Sequence, residues 1–142
     1  MYTLRSNYAN PEALASIQWV ADHLNDPQVR LIEVVYTGSP WFGMPSYVSG
    51  HIPGAVAWDF EKDLQDPVRK DLLDKGGFEA LLSRSGITPK TTVVIYISLN
   101  NLIAAFAFWQ LKIWGHKNIR LLDGDKQKCR MRIAQRRVKY PR

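Results

Sequence analysis

Thr91-Thr92-Val93-Val94-Ile95-Tyr96 opens just after Pro89. Residues 102–114 follow it with apolar positions almost all round a helix, and Ile119-Arg120-Leu121-Leu122 then forms a second short apolar run. β-Branched side chains are stiff at χ1 and fit a pleated surface, so the first run predicts a central strand. The middle segment carries Gln110 and Lys112 as its polar interruptions and stops at Gly115, which predicts a helix buried on more than one side. Strand, helix, strand is the unit from which parallel sheets are built, because parallel strands need a long crossover.

The same alternation extends toward the N-terminus. Phe78, Leu81 and Leu82 before Gly86 predict another helix, and a short strand around Ala55 to Trp58 follows the turn Pro53-Gly54. Val29 to Tyr36 reads as a buried strand after Asp26-Pro27. Ser16 stands as a cap before apolar positions at 17, 20, 21 and 24, the helical period. Thr37 to Tyr47 has neither period and reads as a loop, while Asp59 to Asp74 reads as a long charged connection. There is no internal repeat. The expected fold class is α/β, with a mostly parallel sheet and helices on both faces.

A length of 142 residues fits one domain. With 46% hydrophobic, 23% charged and 11% aromatic residues, the composition excludes a collagenous, coiled-coil or wholly disordered chain. The apolar runs fall short of the roughly 20 residues that cross a bilayer, so no membrane association is expected. Residues 1–13 lack the apolar stretch of an export signal, which makes a cytoplasmic protein the expectation. One cysteine, Cys129, is too few for an internal disulfide or a cysteine zinc site. The net charge of +6 is unevenly spread: residues 1–125 hold 11 Lys and Arg against 13 Asp and Glu, whereas residues 126–142 hold 8 Lys and Arg and no acid.

The most specific string is Tyr47-Val48-Ser49-Gly50-His51-Ile52-Pro53-Gly54-Ala55. It resembles the first signature of the rhodanese family, the thiosulfate sulfurtransferases. Trp58-Asp59, Asp63 to Val68 and Arg69-Lys70-Asp71 resemble the N-terminal half of two-domain rhodaneses. Thr92 to Tyr96, Asn100-Asn101, Ala104 to Trp109, Gly115-His116 and Leu121 to Gly124 continue the likeness in order. The resemblance implies a five-stranded rhodanese-like domain over residues 14–128, preceded by an N-terminal extension, 1–13, and followed by a basic tail, 129–142, expected to be disordered. It also implies that the chain corresponds to the non-catalytic half. Tyr47, Gly50, His51, Pro53 and Gly54 are then structural signature residues.

Catalytic members of the family carry sulfur on a cysteine persulfide. That chemistry needs a low-pKa thiolate among backbone amides at a helix N-terminus, since nucleophile and substrate are both anionic. By the resemblance, the nucleophile belongs just after the central strand. This chain reads Ile97-Ser98-Leu99-Asn100-Asn101 there, with no cysteine, no glycine and no basic residue. A serine hydroxyl does not form a persulfide. No catalytic residue, cofactor or metal ligand is therefore expected, and Cys129, about thirty residues further on, is not expected to transfer sulfur. Even against non-catalytic copies, Ile97, Leu102 and Asp125 depart from the family pattern. After Lys128 the resemblance stops, as a shifted reading frame or truncated gene would make it.

Other features carry plain structural readings. His51 belongs to a turn, and Asn100 and Asn101 are suited to cap the helix after them. Asp59, Glu61, Asp63 and Asp66 lack the glycine and terminal glutamate of a calcium loop and read as solvated carboxylates. Trp19, Trp58, Trp109 and Trp114 read as core. The basic surround of Cys129 favours a thiolate if the segment is exposed. The expected partners are a catalytic rhodanese half, or a second copy through the apolar face of 102–114. Nucleic-acid contact through residues 126–142 is not expected. The competing reading is an inactive scaffold acting as a binding module with an anion-binding tail.

Overall fold

The computed structural model describes residues 13–36, 44–66, 68, 73–96, 102–124 and 126–139. The loop Ile97 to Asn101, with both cap candidates, and Asp125 lie outside the described residues, as do most of the N-terminal extension and the last three residues.

Leu14–Ser16 forms β1, and Ser16 caps helix α1, Ile17–Asp22, its Oγ accepting from the Trp19 N–H at 3.0 Å. Then come β2, Val29–Val35; α2, Met44–Ser49; and β3, Val56–Asp59. Helix α3, Lys75–Arg84, is capped by Asp74, whose Oδ1 accepts from the Gly77 N–H at 2.7 Å. The remaining elements are β4, Thr92–Tyr96; α4, Leu102–Ile113; β5, Ile119–Asp123; and α5, Lys126–Lys139.

The five strands lie in the order β1-β5-β4-β2-β3, every pair parallel. Ile32 stands opposite Ile95, Val34 opposite Trp58, and Glu33 opposite Tyr96. Successive residues of a strand point to opposite faces, so β4 sends Val93 and Ile95 to one core and Val94 and Tyr96 to the other. The first core is closed by Phe78 and Leu81 of α3 and by Ala104, Ala107 and Leu111 of α4. The second is closed by Val20 and Ala21 of α1 and by Cys129 and Ile133 of α5. Strands buried on both faces are mostly apolar, which is why they read as nearly continuous runs, with Arg30 and Glu33 as the interruptions in β2.

Gln110 is fully buried although it interrupts the α4 run. Its Nε2 donates to the Leu64 carbonyl at 2.6 Å and ties the long β3–α3 connection to the core. Trp58 is also fully buried. Its Nε1 donates to Ser85 Oγ at 2.7 Å, and the Ser85 hydroxyl donates to the Leu81 carbonyl at 2.8 Å.

Three expectations need correction. The disordered tail is instead a 14-residue helix through Lys139. Its buried positions, Lys126, Cys129 and Ile133, fall at helical spacing, but basic residues at 126, 128, 130 and 132 impose an alternating pattern that hides that period in the sequence. The expected loop 37–47 ends inside a helix, α2. Trp109 and Trp114 are not core: they are 65% and 40% exposed, because α4 packs on β2, β4 and β5 with its inner side alone. Trp19 is partly buried, stacked on His23 with ring centroids 3.9 Å apart.

Candidate functional site

The chain leaves β2 toward β3 on one side of the sheet and leaves β4 toward β5 on the other. The carboxyl ends of β2 and β4 are therefore a topological switch point, where open parallel sheets form a crevice. Residues 97–101, which by the family resemblance hold the catalytic position, follow β4 in the sequence and lie outside the described residues.

At the carboxyl ends of β2 and β4 lies a buried polar network that sequence reading did not find. Glu33 and Tyr96, register partners on β2 and β4, are both buried, as is Lys126 in the first turn of α5. Lys126 Nζ donates to Glu33 Oε2 at 3.0 Å and stands 2.9 Å from Oε1, with both side chains 1% exposed. Tyr96 Oη accepts from the Ile52 N–H at 3.1 Å. Burial above all, and then the charge of Glu33 beside it, push the Tyr96 phenol far above its ordinary range, so it stays neutral. One signal was present in the sequence: Glu33 sits inside an apolar strand, and a buried carboxylate demands a counter-charge.

This network joins the signature segment. Tyr47 stacks on His51 with centroids 3.9 Å apart and planes within 7°, and its hydroxyl donates to the Ala55 carbonyl at 2.6 Å. His51 Nδ1 donates to the Tyr47 carbonyl at 2.9 Å. The turn Ile52-Pro53-Gly54-Ala55 closes with Ala55 N–H on the Ile52 carbonyl at 3.0 Å, and Gly54 takes φ +83°, which favours glycine. Gly50 lies against α5: a Cβ there would meet the guanidinium of Arg130, the flexible end of that side chain. Thus the segment after α2 is tied to the end of β4 through Tyr96, with the Arg130 side chain of α5 lying against Gly50.

Cys129 is fully buried on the inner side of α5. Burial pushes its thiol up to about 11, so it is protonated at neutral pH. The basic neighbours that favoured a thiolate in an exposed segment do not reach it through the core. The acidic residues of the β3–α3 connection are also not merely solvated. Asp59 is buried, its Oδ1 accepts from the Glu61 and Lys62 N–H groups at 2.9 and 3.0 Å, and its own N–H donates to Asp63 Oδ2 at 2.7 Å. Asp63 pairs with Arg84 at 3.1 Å, and Asp66 Oδ1 accepts from the Val68 N–H at 2.9 Å. These carboxylates build turns. Among the described residues, no group of three or more His, Cys, Asp or Glu is placed to hold a metal.

The fold and site define a parallel, doubly wound α/β domain with an anchored switch point. The rhodanese-like domain family matches residues 16–130. The chain belongs to that family. It is 46% identical over 121 residues to the sulfur carrier protein TtuD of Thermus thermophilus, covering 85% of this chain and 40% of that protein. It is 37% identical over 119 residues to a thiosulfate sulfurtransferase of Corynebacterium glutamicum, covering 84% of this chain and 38% of the relative. Among solved structures, the 3-mercaptopyruvate sulfurtransferase SseA of Escherichia coli superimposes with a TM-score of 0.68 at 27% identity, over 84% of this chain and 47% of that one. The chain thus spans about two-fifths of the length of the curated relatives it matches, and it resembles the N-terminal half of these larger proteins. Its one cysteine is buried in α5 rather than in the loop after β4. Among the described residues, no helix is long and apolar enough to cross a membrane.

Proposed function

We propose that this chain is the non-catalytic half of a thiosulfate sulfurtransferase, inactive in sulfur transfer by itself and working in the cytoplasm. The observation that carries the reading is the state of Cys129: a buried, protonated thiol on the inner side of a helix is the reverse of the exposed thiolate that persulfide chemistry requires. The residues at 97–101 supply no replacement nucleophile. The signature residues Tyr47, Gly50, His51, Pro53 and Gly54 act by holding the chain direction. Thiocyanate formation from thiosulfate and cyanide is expected at background level for the chain and for Cys129→Ser alike. Turnover by the chain that disappears in Cys129→Ser would overturn the reading.

The partner that fits this reading is a catalytic rhodanese half, or in its absence a second copy, packed on the outer side of α4. Trp109 and Ile113 stand one turn apart and are 65% and 52% exposed, with Trp114 beside them. Exposed apolar side chains grouped on one helix side form the kind of patch that marks an interaction surface. The isolated chain is expected to self-associate, and Trp109→Lys with Ile113→Lys to return it to a monomer in sedimentation. A wild-type chain that stays monomeric at high concentration would count against this face.

A further inference from the structure

We propose that the hollow between α3 and the turn after α4 binds a small, flat, apolar molecule that carries a carboxylate. This inference stands apart from the sulfurtransferase reading. The residues of the hollow immediately precede β4 and β5, so it lies at the amino ends of these strands, the opposite end of the sheet from the switch point.

The hollow has a volume of about 330 Å³, within the range of cavities that hold small ligands. Its apolar lining comes from Phe78 and Leu82 of α3, Ile87 and Pro89 before β4, and Trp114 just after α4. Phe78 and Ile87 are buried, whereas Trp114 is 40% exposed, so the indole wall reaches solvent. An indole beside buried apolar side chains favours a flat ring, because aromatic contacts add to the area removed from water.

The walls are set before a ligand arrives. Each helix ends in a closed turn: the Ile87 N–H donates to the Leu82 carbonyl at 2.9 Å, and the His116 N–H to the Leu111 carbonyl at 2.9 Å. The ring of His116, which also lines the hollow, ties the two segments together, its Nε2 donating to the Thr91 carbonyl at 2.8 Å. A site held in this way loses little binding energy to ordering. A Cβ at Gly115 would meet nothing within 4 Å, so the hollow is open on that side.

Charge selects among flat rings. Among the described residues no Asp or Glu lines the hollow, while Lys117 does, and exposed Lys90 follows Pro89. The C-terminal ends of α3 and α4 carry partial negative charge, which opposes an anion. The Leu82, Ser83, Leu111 and Lys112 carbonyls are already taken by the N–H groups of the two turns, however, and Lys117 brings a full positive charge. A carboxylate on the Lys117 side therefore matches the site, and an ammonium does not.

The test is isothermal titration of the full chain with indole-3-acetate and with tryptamine, two probes that share a ring and differ in charge. Saturable binding of indole-3-acetate is expected with a Kd of about 1 mM or below, and tryptamine is expected to bind about fivefold more weakly. Lys117→Glu, at an exposed position, is expected to reverse that order. Trp114→Ala is expected to weaken indole-3-acetate about tenfold. The same titrations on Trp109→Lys with Ile113→Lys leave the lining of the hollow intact, so that self-association through α4 does not mask binding. No saturable binding of indole-3-acetate to either form would overturn the proposal. So would an order of the two probes that Lys117→Glu leaves unchanged, or binding unaffected by Trp114→Ala in protein shown by circular dichroism to be folded. Lys117→Glu decides the matter even if Trp114→Ala fails to fold.

Discussion

Lys126→Met is expected to lower the free energy of unfolding by about 3–5 kcal/mol, read as a fall in the urea midpoint with an unchanged slope. Methionine fills a comparable volume, so the loss is electrostatic: the carboxylate of Glu33, 1% exposed, keeps its burial and loses the ammonium 2.9–3.0 Å away. Domains of this size are stable by about 5–15 kcal/mol, so the deficit is a large part of the whole. Pairing Lys126→Met with Glu33→Gln is expected to recover most of it, because the buried charge is gone and an oxygen remains beside the Tyr96 hydroxyl. The non-additivity of this cycle isolates the interaction. A cost below 1 kcal/mol for Lys126→Met alone would mean that α5 is not seated as described.

Trp58→Ala is expected to cost about 3–5 kcal/mol as well, for a different reason. The indole is fully buried on β3 at the sheet edge, edge-on to Phe78 with centroids 6.5 Å apart. Its removal takes away a large apolar area and the donor to Ser85 Oγ, and leaves a cavity between the edge strand and α3. Trp58→Phe keeps most of the ring volume and loses the hydrogen bond, so about 1–1.5 kcal/mol is expected. The gap between the two variants in chemical denaturation separates packing from hydrogen bonding. Equal costs would show that the hydrogen bond, rather than the ring, is what holds α3 to β3.

Much of this was legible in the residues. β2 and β4 announce themselves as apolar, β-branched runs, β5 as a short apolar run, and α3 and α4 by helical spacing and a stopping glycine, because strands and helices impose periods of their own. The missing nucleophile was legible too, since a loop without cysteine needs no coordinates to be read. Elements whose identity rests on a partner were not visible. β1 has three residues and is a strand because it pairs with β5 at Leu14 and Leu121. Trp58 and Trp109 are the same residue type in apolar surroundings, yet one is buried and the other 65% exposed, since which side of a helix is covered depends on what packs there.

The family, the parallel α/β architecture and the lack of a thiol at the family's catalytic position follow from local patterns, each contained within a few consecutive residues. The seating of α5, the burial that keeps Cys129 protonated, and the Glu33–Tyr96–Lys126 network needed the folded chain. Their partners are far apart in sequence, 93 residues for Glu33 and Lys126, and the low-dielectric interior that gives such contacts their energy exists once the sheet and its two helical layers have closed.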